Sequence, residues 1–284
     1  MSFRNILVVL RAYPAGISVG AVSSAVEIAA ALAPRVSAIA CAVKPRVPRS
    51  ILGNALLDVS AMVGEEYRKS EHDAERLLEA FEEAAKRHRV FGERILRTCR
   101  PFEVPDALAG CSRLRDLTIV PMPQGEHVSQ FDAQWDVETI LFQSGHPAIV
   151  VPADAIAPAA FDTVIVAWDK SRAAARAIAD AMPILQTAKH VRILTVIGEK
   201  PIEAHHAGAE LAHHLGFHGV DCVVDEVNAD GRSIGDVLQA QVDAHDAGLL
   251  VMGAYGHSRL REFVLGGATR GMLSKPPTAL FLSH

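Results

Sequence analysis

Residues 251–273 read VMGAYGHSRLREFVLGGATRGML, and the reading of the whole chain turns on this stretch. It starts in an apolar run of strand length, 249–252, that stops at Gly253. Gly256 follows after two residues, Gly266 after nine more, and Gly267, Ala268 and Thr269 come directly behind it. Residues 268–274 have the pattern of a short helix. Glycine accepts a positive φ and lets a backbone come close to a ligand. A helix N-terminus offers unpaired N–H groups and the positive end of the helix dipole. Strand end, two-glycine turn, spacer and helix-opening glycines therefore make an anion cradle. The same glycines serve equally as plain turn and helix-start residues.

Upstream of this stretch, strands and helices alternate. The second half reads as strands at 163–167, 191–197, 221–227, 249–252 and 278–282, with helices at 171–185, 202–215, 234–244 and 268–274. The first half repeats the order. Its strands fall at 5–10, 36–43, 94–99, 117–121 and 148–151, and its helices at 19–32, 56–89, 104–109 and 137–142. Residues 124–136 read as a long irregular connection. Alternation of this kind indicates a parallel sheet covered by helices on both faces, and its repetition indicates a duplicated domain. The expectation is α/β: two tandem doubly wound five-stranded domains, 1–152 and 159–284. The stiff linker PADAIAP, 152–158, would join them.

Composition agrees with two cores. The chain has 284 residues, half of them hydrophobic, and a net charge of −5. That charge, with 5% aromatic residues, argues against a nucleic-acid partner. No apolar run is long enough to span a bilayer and residues 1–5 do not resemble a secretory signal, so a cytoplasmic protein with no membrane partner is expected. Cys41, Cys99, Cys111 and Cys222 form no Cys-x-x-Cys pair and read as buried free thiols. His206, Glu210 and His214 share a helix face, but the outer two lie about 12 Å apart, too far for one ion. A solvated face is the reading, with no metal site. No nucleophile elbow, Walker lysine loop or His-Glu-x-x-His occurs. No catalytic residue is therefore assigned.

The spacing of Gly253, Gly256 and Gly266 resembles the nucleotide-binding signature of universal stress proteins, in which a Ser or Thr follows the last glycine. Here Gly267 stands at that position, which removes a phosphate-holding hydroxyl. Thr269 lies two residues on, and Gly267 and Ala268 keep their backbone donors. The strand–helix order is similar to the family's throughout. Gly145-His146-Pro147, leading into AIVVP, also resembles the family's approach to its last strand. The resemblance implies a Rossmann-like fold of the adenine nucleotide alpha hydrolase kind, with ATP and Mg²⁺ as ligand.

By the same resemblance, Asp169 lies near adenine or ribose and the backbone of Val196 near adenine. The loop from Met252 and Gly253 to Gly266, Gly267, Ala268 and Thr269 lies at the phosphates. Asp169 reads equally as a cap for the following helix, and Trp168 either stacks on adenine or is partly buried. In the first half, Arg11-Ala12-Tyr13 replaces the Asp, and Pro121-Met122-Pro123 replaces the glycine turn. That half reads as having lost the loop. Pairing through last strands, usual in the family, implies an internal pseudo-dimer, with homodimers of the chain left open. The expected function is stress-response regulation through an adenine nucleotide bound in the second half. The alternatives are an interaction scaffold with a relic loop, and a slow ATPase.

Overall fold

The computed structural model describes residues 2–45, 59–123, 130–152, 161–197, 207–255 and 267–284. The first half runs β1 (Ile6–Leu10), α1 (Val19–Leu32), β2 (Val36–Val43), α2 (Val59–Arg87), β3 (Phe91–Cys99), α3 (Val104–Ser112), β4 (Leu117–Pro121), α4 (Gln130–Gln143) and β5 (Ala148–Val151). The second runs β6 (Thr163–Ala167), α5 (Arg172–Leu185), β7 (His190–Ile197), α6 (Ala207–Gly216), β8 (Cys222–Asn228), α7 (Ile234–His245), β9 (Leu249–Gly253), α8 (Gly267–Ser274) and β10 (Ala279–Ser283).

Local chemistry explains the boundaries. Strands β1, β2, β4, β5 and β10 are buried along their whole length, as continuous apolar runs should be when helices cover both faces. Ser18, Ser171 and Ser233 cap α1, α5 and α7; each hydroxyl accepts the backbone N–H three residues on, from Ala21, Ala174 and Asp236. Each cap stabilises its helix by about 1 kcal/mol. One expectation is corrected. The connection read as irregular over 124–136 turns helical at Gln130, well before the expected start at 137. The inward face of α4 carries Gln134, Asp136 and Thr139, all buried, and polar residues on a buried face erase the apolar period that marks a helix. Strand β3 likewise begins at Phe91, earlier than expected, because an edge strand with one open side does not need an apolar run. Residues 56–58, 153–158 and 202–206, which complete two expected helices and the expected linker, lie outside the described residues.

The ten strands form one sheet in the order β3-β2-β1-β4-β5-β10-β9-β6-β7-β8. All neighbours are parallel except β5 and β10, which pair antiparallel through Leu280↔Val150, Phe281↔Ile149 and Leu282↔Ala148. The winding reverses between β1 and β4 and again between β6 and β9. One face holds a core built from α1, α2, α5 and α6, with Val22, Phe81, Ile178 and Leu211 among its members. The other is built from α3, α4, α7 and α8, with Leu108, Val137, Leu238 and Leu273. Each core runs across the β5–β10 junction, so the halves form the expected pseudo-dimer. The outermost strands, β3 and β8, carry charge at Glu93, Arg94, Arg97, Asp225 and Glu226, which discourages strand addition. Arg192 on β7 fastens β8 by donating from Nε and Nη2 to the two oxygens of Asp225, at 2.8 and 2.9 Å. Among the described residues, no helix is long and apolar enough to cross a membrane.

Phe281 is fully buried at the junction. Phe281→Ala should lower stability by about 3–5 kcal/mol, read as a fall in the urea midpoint of unfolding.

Candidate functional site

In an open doubly wound sheet, ligands lie beyond the carboxyl ends of the strands where the winding reverses. In the second half that place is set by β6 and β9, paired through Val164↔Leu249 and Val166↔Val251. On its other side β6 pairs with β7 through Ala167↔Leu194. Carried past the strand ends, this register sets Asp169 level with Val196 and Ala254. Three predicted features, Asp169, the end of β7 and the Gly253 turn, thus meet at one rim. Helices α5 and α8 both begin there.

Gly253 has a plain steric reason. A Cβ at this position would lie 2.4 Å from Ala174 N and 2.5 Å from the carbonyl carbon of Ala173. The end of β9 rests directly on the first turn of α5, and only a hydrogen fits between them. This contact brings the N-terminus of α5 to the rim.

Asp169 is exposed, and its Oδ1 accepts the Ser171 N–H at 2.9 Å. The cap of α5 itself is Ser171, whose Oγ accepts the Ala174 N–H at 3.0 Å. The capping role open to Asp169 thus falls to its neighbour, and Asp169 fixes the turn before it. Lys170 holds a left-handed φ of 59° in that turn and reaches Glu210 at 3.2 Å. Trp168 is partly buried, as one of its two readings has it: its Nε1–H donates to Ala207 O at 3.1 Å and its ring packs against the core.

Val196 is half-buried and pairs with Val227. The side chain of Met252 is in the core, and its backbone runs beside Leu282 in the β9–β10 ladder. Gly267 and Ala268 open α8, and Thr269 is buried, with 4% of its surface exposed. Gly256 and Gly266 lie outside the described residues, as does His206. Glu210 is spent on Lys170, and His214 stacks edge-on against His218.

Tyr255 escaped the sequence reading. It holds a φ of 58°, unusual for a bulky residue. Its hydroxyl donates to Glu138 Oε1 at 2.9 Å, and its ring lies 5.0 Å from that of Phe142. Glu138 and Phe142 belong to α4 of the first half. His284 completes the clamp, with Nδ1 3.0 Å from Ala254 O and its ring 4.6 Å from Phe142. Burial first, then the Glu138 charge and hydrogen bond, push the Tyr255 phenol well above its ordinary value; Arg270 opposes them. The one available signal was an aromatic residue set between two glycines.

The first half answers differently at the same place. Its β1–β4 pair starts Ile6↔Leu117 and its β1–β2 pair Ile6↔Val36. Matched to the second half, Arg11 stands where Asp169 stands and Cys41 where Val196 stands. Arg11 forms an ion pair with Asp136 of α4, and both side chains are almost wholly buried. Arg11 Nη1 also donates to Tyr13 O at 3.3 Å. The place beyond these strand ends is occupied by a buried carboxylate with its own cation.

No protein-family model matches the chain, and no curated protein does. Solved structures do. A universal stress protein from Archaeoglobus fulgidus matches with a TM-score of 0.70 and 16% identity, covering 98% of this chain and 95% of that one. A putative universal stress protein from Pseudomonas aeruginosa matches with a TM-score of 0.55 and 15% identity, covering 99% and 93%. A functionally unknown protein from the same species gives 0.54 and 14%, covering 99% and 92%. The chain therefore has the universal-stress-protein fold over its full length.

Two outcomes follow from this geometry. Gly253→Ala should destabilise the chain by about 1–3 kcal/mol through overpacking, measured by thermal unfolding. Tyr255 keeps its proton more tightly when folded than the ordinary phenol value of 10.0. Its share of stability is complete below that pH and is lost as pH rises through and above it. The unfolding midpoint of the wild type should therefore fall more steeply than that of Tyr255→Phe between about pH 9 and pH 11.

Proposed function

We propose that the chain is a universal stress protein, a cytoplasmic regulator of the stress response that binds ATP with Mg²⁺ in its second half. The observation that supports this most is the crevice at the β6–β9 reversal. A strand end there tolerates no side chain at Gly253, and the N-termini of α5 and α8 open on its rim.

In this reading the base lies against the end of β7 at Val196. The ribose hydroxyls donate to Asp169. One oxygen of that carboxylate is used by Ser171 N–H, and a carboxylate has acceptor capacity for more. The phosphates lie at the opening of α8, where the N–H groups of Gly267 and Ala268 and the helix dipole favour negative charge. The hydroxyl missing at Gly267 is offset by such backbone donors; Thr269, two residues on, is buried. Mg²⁺ is held chiefly by phosphate oxygens. The chain's own residues bind and orient the nucleotide, and any turnover is slow.

A second reading, an interaction scaffold with a relic loop, draws on the closed first half and on the Tyr255 clamp. The two separate by calorimetric titration of ATP, with and without Mg²⁺, into chain stripped of copurified nucleotide. Saturable binding, weakened about tenfold by Asp169→Ala as a lost polar contact would require and abolished by Gly256→Val, is the expected result. Absence of both heat and thermal shift would overturn the nucleotide reading and leave the scaffold.

A further inference from the structure

We propose that Cys41 and Cys99 form a redox site, a dithiol that a hydroperoxide converts reversibly into an intrachain disulfide. The two residues lie on neighbouring strands. The register pairs Cys41 with Arg97 and Val43 with Cys99, so the thiols are diagonal neighbours. Both turn to the face shared with Ile39, Val43 and Leu108. Their sulfurs are 3.6 Å apart, although the residues are separated by 58 positions in the chain. A disulfide bond of about 2.05 Å asks the sulfurs to approach by roughly 1.5 Å, and between diagonal neighbours that approach includes a shift of the edge strand β3.

The two thiols are not equivalent. Cys41 lies on the inner strand. Its hydrogen bond with Cys99, then burial, then the charges of Cys99, Asp136 and Cys111 hold its proton firmly. Cys99 is the last residue of the edge strand β3. Its hydrogen bond with Cys41 lowers its pKa, aided by Arg97 and opposed by burial and Glu103. When the pair loses one proton it loses it from Cys99, and the thiol of Cys41 then donates to the thiolate. Both thiols are buried, Cys41 5% and Cys99 6% exposed; Cys99, at the edge of the sheet, is the nucleophile and Cys41 the resolving group.

The chemistry balances without another reagent. The Cys99 thiolate attacks the outer oxygen of the hydroperoxide. The O–O bond breaks, the departing oxygen leaves as alkoxide or hydroxide and takes up a proton, and Cys99 becomes a sulfenic acid. The Cys41 sulfur then attacks the Cys99 sulfur. The S–S bond forms as the S–O bond breaks, and the hydroxyl leaves with the Cys41 proton as water. Two thiols and one hydroperoxide give one disulfide, one alcohol (or water) and one further water. The peroxide is reduced and the sulfur pair oxidised by two electrons.

The site does not depend on a ligand in the second half. It lies where the first half has Cys41 in place of Val196, beside the Arg11–Asp136 ion pair rather than at the glycine turn. Cys111, half-buried on α3 and packed against the same core, is the nearest competing thiol.

The test uses the full chain with Cys111→Ser and Cys222→Ser, so that only the pair remains, reduced and then given hydrogen peroxide in equal amount. Expected are the loss of both titratable thiols, a mass fall of two hydrogens, and a Cys41 peptide joined to a Cys99 peptide. Dithiothreitol should reverse all three. Adding Cys41→Ser should halt the reaction at a sulfenic acid on Cys99 that dimedone traps. Persistence of both thiols, a disulfide between chains, or over-oxidation of Cys99 with Cys41 still free would overturn the proposal. If the double variant does not fold, peptide mapping of the oxidised wild type decides. A Cys41–Cys99 link must then predominate, and predominance of any link to Cys111 sinks the assignment.

Discussion

The antiparallel ladder between β5 and β10 is three residue pairs long, and every side chain in it is buried: Leu280 with Val150, Phe281 with Ile149, Leu282 with Ala148. Each strand would otherwise be a bare edge of a five-stranded sheet, with a row of unsatisfied backbone groups. Joined, they let apolar cores pass without a break from one half to the other on both faces of the sheet. Much else follows from that ladder. It brings α4 of the first half beside α8 and the turn that leaves β9. Glu138 and Phe142 can then hold Tyr255, and His284, just past β10, reaches Ala254.

The halves share a backbone plan and differ in what they put at its reversal point. In the second, Gly253 leaves no side chain between β9 and α5, and Asp169 stands exposed at the rim. In the first, Arg11 stands at the register position of Asp169 and Pro121 at that of Gly253, and α4 supplies Asp136. Burying an arginine is costly unless a carboxylate meets it, so the two residues hold each other in place. The same backbone plan thus carries an exposed acid at one reversal point and a buried ion pair at the other.

Most of this was legible in the residues. The strands of the second half are apolar runs broken by glycine or acid, and nearly all were located to within a residue. The parallel arrangement followed from their alternation with helices. Legibility failed where a buried face is polar. Gln134, Asp136 and Thr139 hid the start of α4, and with it the partner of Arg11. It failed also where meaning depends on contacts far apart in sequence. Nothing near Tyr255 announces Glu138, which lies 117 positions away. Cys41 and Cys99 read as separate buried thiols until the β2–β3 register set them side by side. Asp169 was read as a nucleotide contact or as a cap, and the cap went to Ser171, a distinction that spacing alone does not make.

Because β5 and β10 each have a partner on both sides, β5 between β4 and β10 and β10 between β5 and β9, the hydrogen-bonding valence of both last strands is saturated within one chain. A second copy finds no vacant last strand to dock on. Among the described strands, the open ladder edges are those of β3, which carries Glu93, Arg94 and Arg97, and of β8, which carries Asp225 and Glu226. Among the described residues, fusing the two halves has changed which strands are left for pairing with another copy: the outer edges of the sheet, not the last strands.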